Sequence, residues 1–338
     1  MSEAVSAVSI ASIAVPAPAT SLFDRPALRF AVRRLLRFVV SLWVLMTAAF
    51  GMIYLIPGDP VRASLGITAS QALVNERRHA LGLDQPMLVQ YGHYLAGLLS
   101  GNFGTSLASR LPVARIIADR LPATLELAVA AFVLAVVIAI PLGTVMGVLT
   151  RGGRARRAEL AFTTTSVIIG AIPDFVVGVV LVWIVGVHLH WLPVAGRSGF
   201  GSFVLPVMSL AIGPAAILSR ILRVEMITAL QADYVRTARA KRLPALAVYL
   251  RHALPNALTA TITLGGLLLS TMVAGTVLVE NVFAWPGLGS TIVSSILTKD
   301  YPVVQGIVLV YGIGVLAVNL LVDIALALLD PRSTIRES

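Results

Sequence analysis

Long apolar runs separated by short basic connectors dominate this chain. Six runs approach or exceed the about 20 residues that an α-helix needs to cross a hydrocarbon core: residues 38–56, 123–149, 160–187, 205–222, 257–279 and 303–329. A spanning backbone must satisfy its own N–H and C=O groups, so the runs predict helices. The second, third and sixth are long enough to tilt or to extend past the hydrocarbon. Two connections are too long to be simple linkers. In the first, 57–122, Leu88, Tyr91, Leu95 and Leu98 recur at helical spacing, with Gln90 and His93 off the stripe. That predicts an amphipathic helix on or near a membrane surface. In the second, 233–255, the pattern is helical over 233–241, with Val235, Ala238 and Arg242 spaced for one face. Leu243-Pro244 then interrupts it. The residue before proline avoids the α region, and proline suits a first helical turn. The expectation is helix, bend at Leu243-Pro244, and a second helix from Pro244 through Ala253.

Composition agrees with the pattern. Of 338 residues, 57% are hydrophobic and 12% charged, against roughly 25% charge in a soluble domain. The mean hydropathy is +0.90. The net charge of +10 raises the question of nucleic acid, but the basic residues flank apolar runs, so a lipid bilayer and no nucleic acid is the expected partner. With no cysteine, disulfides, thiolate metal sites and thiol nucleophiles are excluded. Placing the N-terminus inside puts 18 of the 26 lysines and arginines on inner segments and 8 on outer ones, which orients both termini to the cytoplasm. The first residues resemble a secretory signal but lack a basic leader and include Glu3, so 1–29 reads as a flexible cytoplasmic tail rather than a cleaved signal.

Candidate chemistry is sparse. No phosphate-binding glycine loop, HExxH or GxSxG motif occurs, which leaves no catalytic set. His188 and His190 share a face only in extended chain, so an interfacial turn is the simpler reading than a metal site; His252 has a structural role by default. Asp174, after Pro173, sits inside the third run. One reading has the proline bend lining a substrate path with Asp174 touching solute. The other has Asp174 capping the second half-helix. Asp323 has Asn319 four residues earlier, a pair suited to bonds between helices. Acids at several midplanes and matched broken helices, expected of a secondary transporter, are not evident, so transport energy should come from a partner. The basic 233–255 segment fits two roles on geometry alone: docking a partner protein, or gripping anionic lipid at about 1 kcal/mol per cation.

This segment resembles the cytoplasmic loop of ABC importer permeases, which reads Glu-Ala-Ala, three residues, Gly, then nine residues before Ile-x-Leu-Pro. Leu254-Pro255 fits its end and Ala238 its third position; Arg236 and Thr237 replace the first two, and Arg242 stands where glycine is usual. Further motifs follow in order: "IPGDP" (56–60), "LGLDQP" (81–86), "GNFGTSL" (101–107), "LPATLELA" (121–128), "ENVFAWPGLG" (280–289), "DYPVVQG" (300–306) and "NLLVDIALALLDPR" (319–332). Over 30–335 the chain is similar to permeases of the dipeptide, oligopeptide and nickel family, in the subtype with a long outer loop.

The resemblance implies an all-α membrane protein with six transmembrane helices and the type I importer permease fold, carrying cytoplasmic coupling helices. It implies a prokaryotic inner or plasma membrane. It also implies a second, homologous but different permease chain, two ATPase subunits or a fused pair, and an extracytoplasmic substrate-binding protein. ATP and Mg would be bound by the ATPases and no cofactor by this chain, which is no enzyme by itself. ATPase docking falls to Asp233, Arg236, Ala238, Arg239, Lys241, Arg242, Pro244, Leu254 and Pro255. Pro173, Asp174, Phe283 and Trp285 are the expected substrate-path residues. Trp285 suits an interfacial belt, and Pro286, Gly287 and Gly289 break the helix there, either as part of an outer gate or as a packed turn. Di- or oligopeptides are the expected solute; nickel, another small solute, or a self-sufficient secondary transporter are the alternatives.

Overall fold

The computed structural model describes residues 26–55, 60–65, 69–80 and 82–329. The tail before 26, most of "IPGDP" and residues 330–338 lie outside them. The described elements are helices, with one isolated bridge between Thr105 and Pro112. In chain order they are α1 (Pro26–Leu55), α2 (Pro60–Leu65), α3 (Gln71–Ala80), α4 (Met87–Leu99), α5 (Val113–Leu149), α6 (Arg156–Ala171), α7 (Asp174–Leu181) and α8 (Phe200–Gln231). Then follow α9 (Asp233–Ala240), α10 (Ala245–Ala247), α11 (Leu254–Val282), α12 (Leu288–Leu297) and α13 (Tyr301–Leu329). Five helices are long and apolar enough to span. α6, together with α7 and the π-helical turn Val182–His188 that continues it, meets the same criterion as a pair bent by 94°, which makes six when the pair is counted as one span. The chain is a multi-pass membrane protein.

Several helices outrun the apolar windows that announce them. α8 covers Phe200–Gln231 where hydropathy marks only 205–222; its last turns, which carry Arg223, Glu225 and Gln231, are held by the packing of Met226, Ala229 and Leu230. α1 begins at Pro26, within the stretch expected to be tail. At 37 residues, α5 is about 55 Å long, well past the bilayer, and its first turns stand outside the hydrocarbon.

α5 and α8 form the centre. On α5, Leu127, Ala131, Ala135, Ala139, Gly143 and Gly147 recur at every fourth position and are buried. Small residues in such a stripe let backbones approach closely. A Cβ added at Gly143 would stand 2.7 Å from the Ser219 carbonyl oxygen, and one at Gly147 2.6 Å from Met226. α11 packs on this pair, and α13 and then α1 close the outside. The fit is again through glycine: Gly266 meets Val322, and Gly312 meets Leu45. The outer faces of α1 and α5 expose Leu35, Trp43, Val129 and Val137, the surface a bilayer covers. The bundle has two ends, one carrying α9 and the opposite one carrying α4 and α12.

Candidate functional site

At the α9 end, Ala232 turns extended and stops α8, and α9 starts at once. Its period is plain in three dimensions. Val235 and Ala238 are buried against Leu222, Met226, Ala229 and Leu230 of α8 and against Val248, Ala253 and Ala257. Arg236, Arg239, Lys241 and Arg242 lie on the exposed face. Arg242 therefore does not share the face of Val235 and Ala238. Asp233 is exposed and receives Arg236 Nη1 at 3.3 Å, and its carbonyl accepts the Thr237 hydroxyl at 3.1 Å. Burying a valine such as Val235 contributes about 1.5–3 kcal/mol. An exposed i,i+3 pair contributes roughly 0.3–0.5. Apolar packing therefore holds α9 on the bundle and leaves the basic face free.

The bend is made by Arg242, not by Leu243-Pro244. Arg242 has φ +55, the left-handed region. Its N–H donates to the Arg239 carbonyl at 2.9 Å, and the Leu243 N–H to the Ala238 carbonyl at 3.4 Å. These two bonds are the Schellman helix stop, whose left-handed position is usually glycine. Pro244 is extended and caps the next turn, with its carbonyl accepting Val248 N–H at 3.1 Å. From Ala245 the chain stays helical through α10, a π-helical turn at Val248–Ala253, and α11. The wider turn directly precedes Pro255, which has no N–H to continue the α pattern. Leu254 is half-buried and Pro255 exposed. One reversal at Arg242 thus links α9 to a nearly continuous rod.

Apolar side chains border the basic face: Tyr234, Leu243, Leu246 and Leu250 are exposed. Behind them, buried Arg223 of α8 donates to Thr150 Oγ1 at 2.9 Å and pairs with Glu159 of α6 at 2.5 Å. Asp323 of α13 pairs with Arg34 of α1. Asn319 accepts the Ser270 hydroxyl at 3.1 Å, so both polar positions on α13 tie helices together.

The span broken at Pro173 has a local cause. Ile172 precedes proline and is extended, and Pro173 follows at ψ 140 before α7 begins at Asp174. The cap position of α7 is Pro173 and Asp174 is the first residue inside the helix, and among the described residues no backbone N–H bonds to its carboxylate, which corrects the capping reading. Its carboxylate lies between α8 and α11: a Cβ on Gly213 would sit 3.3 Å from Oδ1 and one on Gly275 3.3 Å from Oδ2. Its main-chain carbonyl accepts the Ser209 hydroxyl at 2.6 Å. A charge at this depth costs about 2.5–3.5 kcal/mol on insertion scales. A position in a helix's first turn returns only about 0.3–1.

Phe283 and Trp285 are core residues. The Phe283 ring packs so closely on Gly178 of α7 that a Cβ there would stand 3.0 Å away. Trp285 is 0% exposed, which removes it from any interfacial belt. Its ring N–H donates to the Ala123 carbonyl at 3.0 Å, and its ring meets Phe203 edge-on at 4.5 Å. Pro173, Asp174, Phe283 and Trp285 are therefore not brought to one lining.

Two polar clasps at this end join motifs distant in sequence. Glu280 is fully buried; Thr124 Oγ1 donates to it at 2.6 Å and Ser290 N–H at 3.0 Å. Thr124 Oγ1 also accepts the Leu288 N–H at 2.8 Å. A Cβ on Gly287 would lie 2.4 Å from the carboxylate, and one on Gly289 2.5 Å from Val277. The ENVFAWPGLG stretch is thus a packed turn wrapped around an acid. Asp300 receives Ser106 Oγ, the Leu107 N–H at 3.0 Å and the Ala108 N–H at 3.3 Å. Sequence reasoning passed over Glu280, Thr124 and Asp300, although each stands inside a quoted motif. Beside the second clasp, a cavity of about 440 Å³ opens between α4, the 102–107 loop and α13, with Tyr94 and Gln305 on its wall. α4 leans on α1: Tyr91 packs on Phe50, and Gln90 accepts the Tyr54 hydroxyl at 2.9 Å. Leu88 is left exposed.

Among the described residues no group of three or more histidines and acids is placed to hold a metal. His188 ends the π-helical turn Val182–His188 and His190 follows it, both exposed.

Comparison with known proteins bears on both ends. The family described as binding-protein-dependent transport system inner membrane component matches residues 139–335. Its N-terminal companion matches 27–128. The chain is 35% identical over 304 residues to the glutathione transport system permease protein GsiC of Escherichia coli (strain K12), covering 90% of this chain and 98% of that protein. It is 36% identical, with the same coverage, to the protein of that name from Pectobacterium atrosepticum. Among solved structures, a chain of the MetNI methionine ABC transporter in inward-facing conformations is similar at TM-score 0.49 and 16% identity, covering 64% of this chain and 96% of that one.

Proposed function

The chain belongs to the family of inner membrane components of binding-protein-dependent transport systems, and from that premise we propose that it is one of two pore-forming subunits of an ATP-driven importer of small peptides. The α9 end faces the cytoplasm, with both termini on that side, and ATPase subunits bind there. The opposite end receives solute from a binding protein. The partner permease is a second, different chain. Nucleotide and Mg belong to the ATPases.

The observation that carries this reading is α9 itself. It presents a basic face rimmed by Tyr234, Leu243, Leu246 and Leu250, while its apolar face is locked to α8 and, through the Arg242 turn, to α11. A partner that displaces α9 must drag the ends of α8 and α11. Those helices hold the broken span, so motion at the cytoplasmic surface reaches the middle of the bundle. The basic balance of the connectors supports the orientation. Peptide substrates are supported by the relatives at 35–36% identity, named for transport of glutathione, a tripeptide.

Docking is tested by co-purification of ATPase subunits with the chain. Reversing Arg239 and Lys241 to glutamate leaves the Arg242 turn intact. Recovery of the ATPase should fall about tenfold, the equivalent of 1.4 kcal/mol, with membrane insertion unchanged. Equal recovery from the reversed and native chains would count against α9 as the docking element.

A further inference from the structure

We infer that Asp174 is a recognition site for a cationic group of the solute, and that the group is the N-terminal ammonium of the transported peptide. The inference rests on the peptide-importer reading and adds the chemistry of contact inside the bundle.

Three observations converge. The first is the state of the carboxylate. Of the other acids inside the bundle, Glu280 is met by a hydroxyl and an amide, and Asp323 by Arg34. Among the described residues no hydroxyl, amide or cation bonds to the Asp174 carboxylate, which is half-buried and faces glycine backbone on two core helices. An ionisable group kept within a span without a protein partner points to a ligand that supplies one. The second is its seat. Gly213 and Gly275 carry no side chain, and the two carboxylate oxygens lie 3.3 Å from where a Cβ on each would stand, so the acid reaches the backbone of both core helices. The third is the position. Asp174 stands at the 94° break of its span, and its main chain is tied to α8 through Ser209. Rearrangement of α8 and α11 driven from α9 would therefore alter what surrounds the carboxylate. A single carboxylate among glycine and apolar groups offers too few ligands for a metal ion. An ammonium, by contrast, needs one strong acceptor, with the peptide's own polar groups staying in the aqueous path.

The test uses the whole importer in proteoliposomes, with ATP inside and trialanine as the solute. Asp174→Asn should lower uptake at least tenfold, while co-purified ATPase and peptide capture by the binding protein stay unchanged. Asp174→Glu should keep uptake within about threefold of wild type, since one added methylene retains the charge. Uptake by Asp174→Asn equal to wild type would overturn the inference and leave the importer reading standing. A wild-type complex that hydrolyses ATP yet moves no peptide would sink both. If Asp174→Asn fails to assemble, a hydrophobic carbodiimide applied to the wild-type complex decides. Labelling of Asp174, read by mass spectrometry, should be slowed by trialanine during turnover and not by N-acetyl-trialanine; equal labelling with either peptide would overturn the inference.

Discussion

Arg242 holds a backbone conformation that costs an L-residue roughly 1–2 kcal/mol, at φ +55. Glycine would adopt it freely, at the expense of a more flexible unfolded chain. Arg242→Gly should therefore stabilise the α9 stop by about 1 kcal/mol or somewhat less. Pro244→Ala, at an extended position outside the stop, should change it little. Protection of the Arg242 and Leu243 amides against hydrogen exchange checks the order; greater loss with Pro244→Ala would move the bend back to proline. The arginine also adds charge to the exposed face. A second residue pair gives a pH dependence. His79 and Asp84 bond at 2.5 Å, both exposed. That bond raises the His79 pKa above its ordinary 6.5 and holds Asp84 below its ordinary 3.8. A raised histidine contributes fully below 6.5 and fades as pH rises through its folded value. A lowered aspartate contributes fully above 3.8 and fades as pH falls through its own. Protection of the Gly82 and Leu83 amides, which close this turn, should peak between those values. His79→Ala should flatten the profile.

At the scale of elements, the spans were legible because lipid makes burial and exposure alike apolar, so hydropathy finds a helix whichever way it faces. What hydropathy cannot see is a change of direction. The run 160–187 reads as continuous, yet Ile172-Pro173 folds it to 94°. A proline also stands within α5 at Pro141 and within α8 at Pro214, and those helices carry on. The difference lies in packing: α5 and α8 are gripped along a stripe of small residues, whereas α6 and α7 pack on α8 from either side of the break. The same limit misplaces the bend in the 233–255 segment. Val235 and Ala238 were assigned to one face by period, but placing Arg242 there needed a continuous helix, and the Schellman stop removes it. The polar clasps were hidden because their halves are far apart in the chain, Thr124 with Glu280 and Ser106 with Asp300. They predict where the opposite end is brittle. Gly289→Ala would drive a methyl to 2.5 Å from Val277 and should cost about 1–3 kcal/mol. Ser290→Ala keeps the amide bond to Glu280, loses only hydroxyl bonds to backbone carbonyls, and should cost about 1 kcal/mol or less. Thermal unfolding of the detergent-solubilised chain separates the two. Equal midpoints would mean that the turn repacks around the methyl.

For the whole molecule, one path of force follows from the packing. α9 is fixed to α8 by buried apolar contacts and to α11 by a helical rod, and those two helices flank Asp174 at the broken span. At the opposite end, the clasps at Glu280 and Asp300 bind the far end of α11 with α5, α12, the start of α13 and the 106–108 loop into a firm collar. Movement imposed at α9 is thus more easily accommodated at the break than at the collar. The proposed function gives this chain the solute path and the handle at α9, and gives the motor to a partner. The most direct measurement is uptake of labelled trialanine by proteoliposomes holding the two permease chains and the binding protein, with and without ATPase subunits and ATP. Accumulation should occur only when both ATPase and ATP are present. Accumulation by the permease chains alone would contradict the account.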